Sequence, residues 1–381
     1  MQNLLGRDFR ANPAYELVLW DRLAPEERRA LELLREDPDL YGVLRPREGA
    51  AGLGAKSVDR ETALLFLTLR EPGPLPGYVR SVLGETAGRT VARLVADGIF
   101  EIARDGTFVC GAAAFAAQGE PGAAGGRLTG LSLAALRYGQ ALAVDDPLRL
   151  SCRLYGYNRR PLTPRWQRLL ASAAAVQAHL GIGPGGANRP ALDAAWRSLA
   201  PSEAWMSWRS RSGEPASALR GTTYKLYVSP APEALAGSFG AVLDALGAGR
   251  AAQFKIGAGA AGLLRPDKIV AYFPSFERLA AAAAVVSSRL GGVPAQGVPF
   301  TSEIGGDGLL SWGMDPPAAE RSWRGGESWR LWLTHRLARA LLSARDAGEG
   351  VEPWRFALER VRMEGIDTGS WTPAASLWAG A

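Results

Sequence analysis

Three short stretches in the carboxyl-terminal half of the chain have the hydrophobic pattern of β-strands. They span residues 224–229, 253–256 and 269–273. Successive side chains of a strand point to opposite faces of a sheet. The first strand therefore places Lys225 and Tyr227 on one face and Leu226 and Val228 on the other. The pattern predicts a small sheet in this half of the chain.

Longer stretches with apolar residues at helical spacing predict helices around these strands. The predicted helices span residues 131–143, 164–180, 190–199, 232–246, 276–290 and 329–344. Residues 1–50 also have a helical pattern, in which Pro25 and the acids after it begin a helix. The sequence thus predicts an α+β fold, with a helical amino-terminal half and a carboxyl-terminal mixed α/β domain.

Residues 57–111 predict three helices followed by a β-hairpin. Asp59 is a candidate cap for the first helix, and Asp105 and Gly106 form a typical hairpin turn. This order is typical of a winged helix, which serves as a DNA platform, as a site for an added peptide strand, or as a small structural subdomain. The candidate recognition helix holds only two cations, Arg89 and Arg93, so no nucleic-acid partner is expected.

Changes in composition along the chain predict five segments. An alanine- and glycine-rich stretch separates the winged-helix-like subdomain from the helices that follow, and it is typical of a linker. The segments are a helical extension (1–56), a winged-helix-like subdomain (57–111), a linker (112–130), a helical region (131–220) and a mixed α/β domain (221–381).

The composition is that of a globular protein without a metal site or disulfide framework. Of its 381 residues 47% are hydrophobic and 22% are charged, and the net charge of +6 favours an anionic partner only weakly. Cys110 and Cys152 are too few for a framework, and His179 and His335 lie in separate helical patterns. With no signal peptide and no apolar run long enough to cross a bilayer, we expect a cytoplasmic protein without a membrane partner.

A glycine-rich loop follows the second strand and resembles a dinucleotide-binding fingerprint. Gly257, Gly259 and Gly262 have the G-x-G-x-x-G spacing. That fingerprint requires the last glycine to begin a full helix, whereas Pro266 and the third strand follow almost at once. We expect no nucleotide here, and no cofactor is predicted elsewhere in the chain.

Four cations lie at or beside the ends of the predicted strands, which favours an anion site. They are Lys225, Lys255, Arg265 and Lys268, and Asp267 is placed to orient Arg265 or Lys268. The alternative is that they are ordinary surface charges. Lys255 favours the site because it lies at the mouth of the glycine loop. Neighbouring cations disfavour its charged form, which makes it a candidate base.

The residues from 224 to 317 resemble the phosphothreonine lyase domain of type III secreted effectors and of class III and IV lanthipeptide synthetases. Lys225 to Ser229 resemble that family's K-x-H-[IV]-S motif, and Phe254 with Lys255 resembles its Phe-Lys element. The carboxyl-terminal half is more similar still to the Hop-type effector family. Stand-alone members of that family accompany a kinase-like protein in class V lanthipeptide and thioamitide pathways.

The resemblance implies a role for each matching residue. Lys255 would remove the α-proton, and Lys225 and Arg265 would bind phosphate together with Lys268 and Arg330. This sequence has Tyr227 where the family has its acid, a histidine. Either Tyr227 is the acid, or His335 supplies the proton, or catalysis has been lost.

These observations lead to one main expectation and two alternatives. The chain is expected to eliminate phosphate from phosphoserine or phosphothreonine in a precursor peptide, which a separate kinase phosphorylates, and to leave a dehydroamino acid. No metal or other cofactor is required. The alternatives are a non-catalytic protein that binds a leader peptide or phosphopeptide, and a DNA-binding regulator with a ligand domain.

Overall fold

The chain combines helices and antiparallel sheets, as an α+β protein should. The structure is a computed structural model, and it describes residues 4–50, 53–115, 126–200, 202–212, 223–316, 327–348 and 350–373. The chain divides into two compact units. The amino-terminal unit draws on Met1–Gly119 and Ser343–Met363, and the carboxyl-terminal unit on Glu120–Leu342 and Glu364–Ala381.

The first 115 residues contain seven short strands and four helices within the described ranges. In chain order they are β1 (Asp8–Ala11), β2 (Tyr15–Leu19), α1 (Pro25–Ala30), β3 (Gly42–Pro46), β4 (Lys56–Val58), α2 (Arg60–Thr68), β5 (Gly73–Pro74), α3 (Gly77–Leu83), α4 (Ala87–Ala96), β6 (Phe100–Arg104) and β7 (Thr107–Val109). The strands form two sheets, with orders β5-β1-β6-β7 and β2-β3-β4.

The prediction that residues 1–50 are helical is wrong for most of this segment. Helix α1 begins at Pro25 as expected, but β1, β2 and β3 surround it. Strand β1 pairs with β6, so that Phe9 lies opposite Ile102, about ninety residues along the chain. Such a pairing depends on a distant strand, and the local pattern of residues 1–50 does not contain it.

The predicted hairpin and its three helices are present. Asp105 and Gly106 have φ angles of 50° and 79°, as a turn with two left-handed residues requires. The Asp59 carboxylate caps α2 by accepting a hydrogen bond from the Thr62 amide at 2.7 Å. Strand β1 lies between β5 and β6, so the hairpin belongs to a four-stranded sheet. The winged helix remains an interpretation of this arrangement.

The rest of the chain supplies a seven-stranded sheet and its helices. In order the elements are α5 (Arg127–Ala141), α6 (Pro147–Tyr155), α7 (Pro164–Leu169), α8 (Ala173–His179), α9 (Arg189–Ala195), β8 (Trp196–Ser198), β9 (Trp205–Ser210), β10 (Tyr224–Val228), α10 (Pro232–Ala248), β11 (Gln253–Gly257), α11 (Ala260–Leu263), β12 (Ile269–Phe273), α12 (Phe276–Leu290), β13 (Ser302–Ile304), β14 (Leu310–Met314), α13 (Trp329–Ser343), α14 (Pro353–Met363), β15 (Ile366–Asp367) and β16 (Thr372–Pro373). The large sheet has the order β13-β14-β10-β12-β11-β9-β8.

The helical prediction for residues 131–220 holds up to α9 and then fails. Strands β8 and β9 follow, and they extend the large sheet beyond β11. Two of their tryptophans belong to the core, as Trp208 stacks on Phe254 at 5.0 Å and Trp196 meets the same ring edge-on at 4.7 Å. Of the predicted linker (112–130), residues 116–125 lie outside the described ranges, and α5 begins at Arg127.

The two faces of the large sheet differ in chemistry. One face packs against α10 and α12, and Leu226, Phe254 and Ala271 are fully buried there. Because strand side chains alternate, the opposite face carries Lys225 and Lys255. This second surface, called the polar face below, holds the candidate site.

The core of the amino-terminal unit is completed by the helix α14, which comes from near the other end of the chain. Phe356 on α14 packs against Phe115 with ring centres 6.2 Å apart, and Arg360 pairs with Asp97 at 2.6 Å.

In the part of the chain that the structure describes, none of the helices combines the length and apolar character that crossing a membrane requires.

Candidate active site

The polar face is organised by the register of three antiparallel strands. Lys225 on β10 lies opposite Tyr272 on β12, and Lys255 on β11 lies opposite Val270 on β12. Tyr227 also lies opposite Val270, from the β10 side. Neighbouring strands are about 4.8 Å apart, so the two lysines and both tyrosines are neighbours on one surface. The predicted sharing of a face by Lys225 and Tyr227 is confirmed.

Lys255 has a partly buried amine that forms no ion pair among the described residues. Its Nζ lies 4.2 Å from the centre of the Trp205 ring and 5.7 Å from that of Tyr272. It makes no hydrogen bond or ion pair with any residue that the structure describes. Burial, and after it the charge of Lys225, lowers the pKa of Lys255 to about 8. A substantial fraction of this amine is therefore neutral near pH 8 and able to accept a proton.

Lys225 is held in place by a carboxylate from the end of β14. Its ammonium pairs with Asp315, and the lysine side chain is 10% exposed. The same ammonium lies 5.9 Å from the centre of the Tyr272 ring. Lys225 is thus a fixed positive charge beside Lys255, with one neighbouring carboxylate that a ligand anion would compete with.

Asp267 is the centre of a buried ion network. Arg265 donates to both of its carboxylate oxygens at 2.8 Å, and Arg330 approaches one of them at 2.8 Å. Tyr155 donates its hydroxyl to the same carboxylate at 3.0 Å. Burial alone would raise the pKa of Asp267, but Arg330 and Arg265 hold it well below its usual range. The predicted role of Asp267 in orienting Arg265 agrees with this geometry.

The two arginines of this network differ in accessibility. Arg330 is 1% exposed, and it also donates to the backbone carbonyls of Pro299 at 3.1 Å and of Tyr155 at 2.8 Å. Arg265 is 16% exposed, and its Nη1 makes no hydrogen bond with a described residue. Arg265 is therefore available to a ligand, whereas Arg330 is buried and supports the site through its contact with Asp267.

The Trp205 ring contacts two of the cations. The Arg265 guanidinium is 4.9 Å from its ring centre, and the Lys255 amine is 4.2 Å away. A tryptophan face attracts cations and excludes water from them. The ring therefore holds the candidate base and a candidate anion ligand next to each other.

Tyr227 is buried in the middle of the polar face, with 3% of its surface exposed. Its hydroxyl makes no hydrogen bond with a described residue. Burial raises the pKa of Tyr227 well above its ordinary value, and Arg330 offsets this only in part. The phenol therefore keeps its proton at neutral pH, and its raised pKa makes it a weaker acid than an ordinary tyrosine.

Two predicted site residues are committed elsewhere. Lys268 is fully buried, and its ammonium donates to the Pro230 carbonyl at 2.8 Å and to the Gln296 side chain at 2.7 Å. His335 pairs through Nδ1 with Glu327 at 2.9 Å. With its donors used in this way, Lys268 supports the segments around Pro230 and Gln296 and is not placed to bind a phosphate.

Sequence reasoning missed four residues of this site, namely Tyr155, Trp205, Tyr272 and Asp315. Tyr272 could be identified from the sequence, because period-two alternation on β12 places it beside Lys225. Trp205 was assigned to a helical region, and the strand β9 that carries it is recognised only through its pairing with β11. Tyr155 and Asp315 lie at the ends of α6 and β14, and nothing in their local sequence points to the site.

The glycine loop is explained by backbone packing. A Cβ on Gly257 would lie 2.4 Å from the backbone carbon of Gly262, and α11 between this loop and Arg265 has only four residues. The fingerprint spacing therefore reflects the close crossing of two backbone segments. Within the described ranges, no three His, Cys, Asp or Glu side chains are grouped so as to hold a metal ion.

Comparisons with known proteins add a distant similarity. The sequence matches no model of a protein family and no curated protein. An effector from Pseudomonas syringae pv. tomato strain DC3000 shares 10% identity at a TM-score of 0.40, over 66% of this chain and 98% of the effector. An effector from Pseudomonas syringae pv. syringae strain 61 shares 13% at 0.35, over 65% and 99%. The chain is thus distantly similar to bacterial effectors, a level of similarity that assigns neither fold nor activity.

Proposed function

We propose that this protein is a lyase that eliminates phosphate from phosphoserine or phosphothreonine in a peptide and leaves a dehydroamino acid. The observation that carries the proposal is the Lys255 amine, which is partly buried, not ion-paired among the described residues, and has its pKa lowered to about 8 beside Lys225 and Arg265. A base next to bound cations is what removal of a proton near a phosphate ester requires.

The proposed step balances as a simple elimination. Lys255 Nζ takes the proton from the α-carbon, and the electron pair of that C–H bond forms the double bond between the α- and β-carbons. The bond between the β-carbon and the phosphate oxygen breaks, and its electron pair leaves with the phosphate. No oxidation or reduction takes place, and the products are a dehydroalanine or dehydrobutyrine residue and inorganic phosphate.

Charge on the departing phosphate requires fixed positive groups around it. Lys225 and Arg265 supply these groups on the polar face, and Arg330 adds positive charge from within the network. Asp267 holds both guanidiniums in place, which leaves Nη1 of Arg265 for the phosphate. Arg265 would therefore bind the ligand through one nitrogen and not through its planar fork.

Tyr227 is the proposed proton donor to the leaving group. It shares the polar face with Lys255, opposite Val270 from the other side of β12. The other candidate, His335, is bound to Glu327 through Nδ1 and makes no contact with the cations of the polar face among the described residues. The similarity of the Lys225 and Lys255 motifs to phosphothreonine lyases supports these roles.

The direct test is incubation of the protein with a peptide that contains phosphoserine or phosphothreonine. Mass spectrometry should detect loss of the mass of phosphoric acid from the peptide. Lys255→Ala should abolish this loss and leave the Kd of the phosphopeptide within about an order of magnitude, because the base acts in the chemical step. Near wild-type turnover by Lys255→Ala would refute the role of Lys255.

A second candidate function is binding of a phosphopeptide without catalysis. It is favoured by Tyr227, a weaker acid than the histidine of the resembling family. In that case the wild type binds a phosphopeptide more tightly than its unphosphorylated form, but no elimination product accumulates. The proposed biological setting is the same for both functions. It is the maturation of a ribosomally made precursor peptide that a separate kinase phosphorylates.

A further inference from the structure

One segment of the carboxyl-terminal unit is strongly and uniformly basic. Residues 147–192 contain no aspartate or glutamate. The first part of this stretch, from 149 to 168, carries six arginines whose side chains are exposed: Arg149, Arg153, Arg159, Arg160, Arg165 and Arg168. Residues 148–169, which include these six arginines, are called the arginine segment below.

The arginine segment has no anionic partner among the residues that the structure describes. None of the six arginine side chains forms an ion pair with a described residue, whereas Arg265, Arg330 and Arg336 in the same unit are all paired. Like charges at helical spacing, such as Arg149 and Arg153 on α6, repel each other. An uncompensated cluster of this kind attracts anions and raises their local concentration.

The segment is continuous with the candidate active site. Tyr155 lies in its middle and donates to Asp267. Three residues later, Asn158 donates to the backbone carbonyls of Gln296 and Gly297. The backbone amide of Arg160 then donates to the carbonyl of Leu264, the neighbour of Arg265, at 3.0 Å. Arg159 and Arg160 are thereby fixed at the border of the site.

Three exposed leucines are interspersed among these arginines. Leu148 and Leu162 are 59% and 53% exposed, and Leu169 is 41% exposed. They lie on three separate parts of the segment and do not form the single apolar stripe of a membrane-surface helix. None of the aromatic rings of the segment is fully exposed for bases to stack on, because Trp166 is buried and Tyr155 and Tyr157 are only partly exposed. An extended peptide that carries both carboxylates and apolar side chains matches the exposed arginines and the exposed leucines.

We propose that the arginine segment binds an acidic stretch of the substrate peptide, flanking the residue whose phosphate is eliminated. The proposal rests on the lyase function above, since it places the flank of the peptide beside the site at Arg265. Arg159 and Arg160 make the contacts nearest the reacting residue, and the arginines of α6 and α7 extend the contact away from it.

The test compares two short fluorescent peptides, each with a single phosphoserine. One has glutamates and leucines on one side of the phosphoserine, and the other has glutamine at every glutamate. Fluorescence anisotropy gives the Kd of each peptide for the wild type, for Arg159→Gln/Arg160→Gln, and for a matched control, Arg250→Gln/Arg289→Gln. The control removes two exposed arginines that lie elsewhere in the same unit.

The wild type should bind the glutamate peptide more tightly than the glutamine peptide, and added salt should reduce the difference. Arg159→Gln/Arg160→Gln should weaken binding of the glutamate peptide by about 3- to 30-fold and leave the glutamine peptide unchanged, as two modest ion pairs would. The control should bind both peptides as the wild type does. Equal Kd values for the two peptides, or an equal loss in the control, would overturn the proposal. Tighter binding of duplex DNA or of anionic lipid vesicles than of the glutamate peptide would overturn it as well.

Elimination is measured separately, so that the two proposals fail in different ways. If neither peptide loses phosphate but the glutamate peptide binds through Arg159 and Arg160, the lyase function fails and the arginine segment still binds an acidic peptide. If both peptides lose phosphate with the same KM, the lyase function stands and the proposed recognition of an acidic flank fails.

Discussion

At the scale of single residues, the polar face combines one accessible base with cations that are already fixed. Lys255 rests on the Trp205 ring without an ion-pair partner among the described residues, whereas Lys225 is paired with Asp315. Arg265 is held by Asp267 and keeps one nitrogen available. The division of roles among chemically similar side chains follows from these contacts. Activity should therefore depend on the protonation state of Lys255.

The pH dependence of elimination should reveal the base. Lys255 must be neutral to accept a proton, and its pKa is lowered to about 8. The kcat/KM of the wild type should therefore rise with pH, with its midpoint near pH 8, about two units below that of an ordinary lysine, and level off above it. Lys225→Met removes a like charge and should move this limb to higher pH. Arg289→Met, an exposed control, should not move it. A limb that stays in place in Lys225→Met would separate Lys255 from the observed titration.

Replacement of Tyr227 tests the proton donor. Tyr227→Phe keeps the buried ring and removes its proton, so turnover should fall by about 100- to 10,000-fold with the fold intact. Tyr227→His restores the residue of the resembling family and should stay active, with its pH–rate profile displaced toward lower pH, because the histidine pKa is about 6.5. Single-turnover rates with circular dichroism as a folding control give the answer. A silent Tyr227→Phe would make the ring a packing residue.

The carboxylate of Asp267 should be essential for stability. Asp267→Asn leaves Arg330, 1% exposed, without its counter-charge, which costs about 3–5 kcal/mol of the free energy of unfolding. Because the Asp267 pKa is depressed, the wild type keeps this stabilisation above about pH 4 and loses it as the pH falls further. Urea denaturation measures both effects. The exposed control Asp244→Asn should change stability by less than about 0.5 kcal/mol, and a similarly small effect of Asp267→Asn would contradict the prediction.

At the scale of elements, the loop between β11 and β12 positions both halves of the site. Strand β11 carries Lys255, α11 follows the glycine loop, and Arg265 and Asp267 precede β12. The loop turns within a few residues because Gly257 and Gly262 allow the two backbone segments to approach closely. The geometry of base and anion ligand thus depends on a close approach that side chains would prevent.

Alanine substitutions in this loop should have opposite outcomes at neighbouring glycines. A Cβ on Gly257 would lie 2.4 Å from the backbone of Gly262, whereas a Cβ on Gly259 would have no atom within 4 Å. Gly257→Ala should therefore destabilise the protein by about 1–3 kcal/mol and reduce elimination. Gly259→Ala should remain near wild type in both respects. Thermal denaturation and turnover measure the contrast, and equal effects at the two positions would show that close packing is not the reason for these glycines.

At the scale of the whole molecule, the chain forms two units that are not simply successive in sequence. The amino-terminal unit takes back α14 from near the carboxyl terminus, and Phe356 and Arg360 on that helix meet Phe115 and Asp97. The carboxyl-terminal unit has its own core around Phe239 and Phe254 beneath the large sheet. Each unit therefore has a separate set of buried side chains, which a local defect should distinguish.

A pair of phenylalanine substitutions should locate the two cores by hydrogen exchange. Phe356→Ala should remove about 3–5 kcal/mol from the amino-terminal unit and speed exchange of the α4 amides, although α4 lies more than two hundred residues away in sequence. Phe239→Ala should speed exchange of the α10 amides instead. If either substitution speeds exchange equally in both units, the chain unfolds as one cooperative body.

The sequence by itself determined the elements whose signals are local. Period-two alternation placed Lys225 and Tyr227 on one face, Asp105 and Gly106 specified a hairpin turn, and the predicted helix at 276–290 agrees with α12. The choice of Lys255 as candidate base came from its place on a strand beside other cations, and this remains a prediction about function. In each case the side chains that carry the signal are within a few residues of one another, so no distant part of the chain is needed to interpret them.

The tertiary structure alone decided which elements pair and which side chains meet. Strand β1 is stabilised by pairing with β6, and β9 by pairing with β11, so the local sequence of neither segment predicts a strand. Trp205 reaches the polar face through β9, whereas Tyr155 reaches Asp267 from the end of α6. Lys268 follows Asp267 in the sequence, but it is not part of the site because its side chain donates a hydrogen bond to Gln296. The physical reason is that burial and partner choice arise from contacts between residues far apart in sequence, and the local pattern does not encode those contacts.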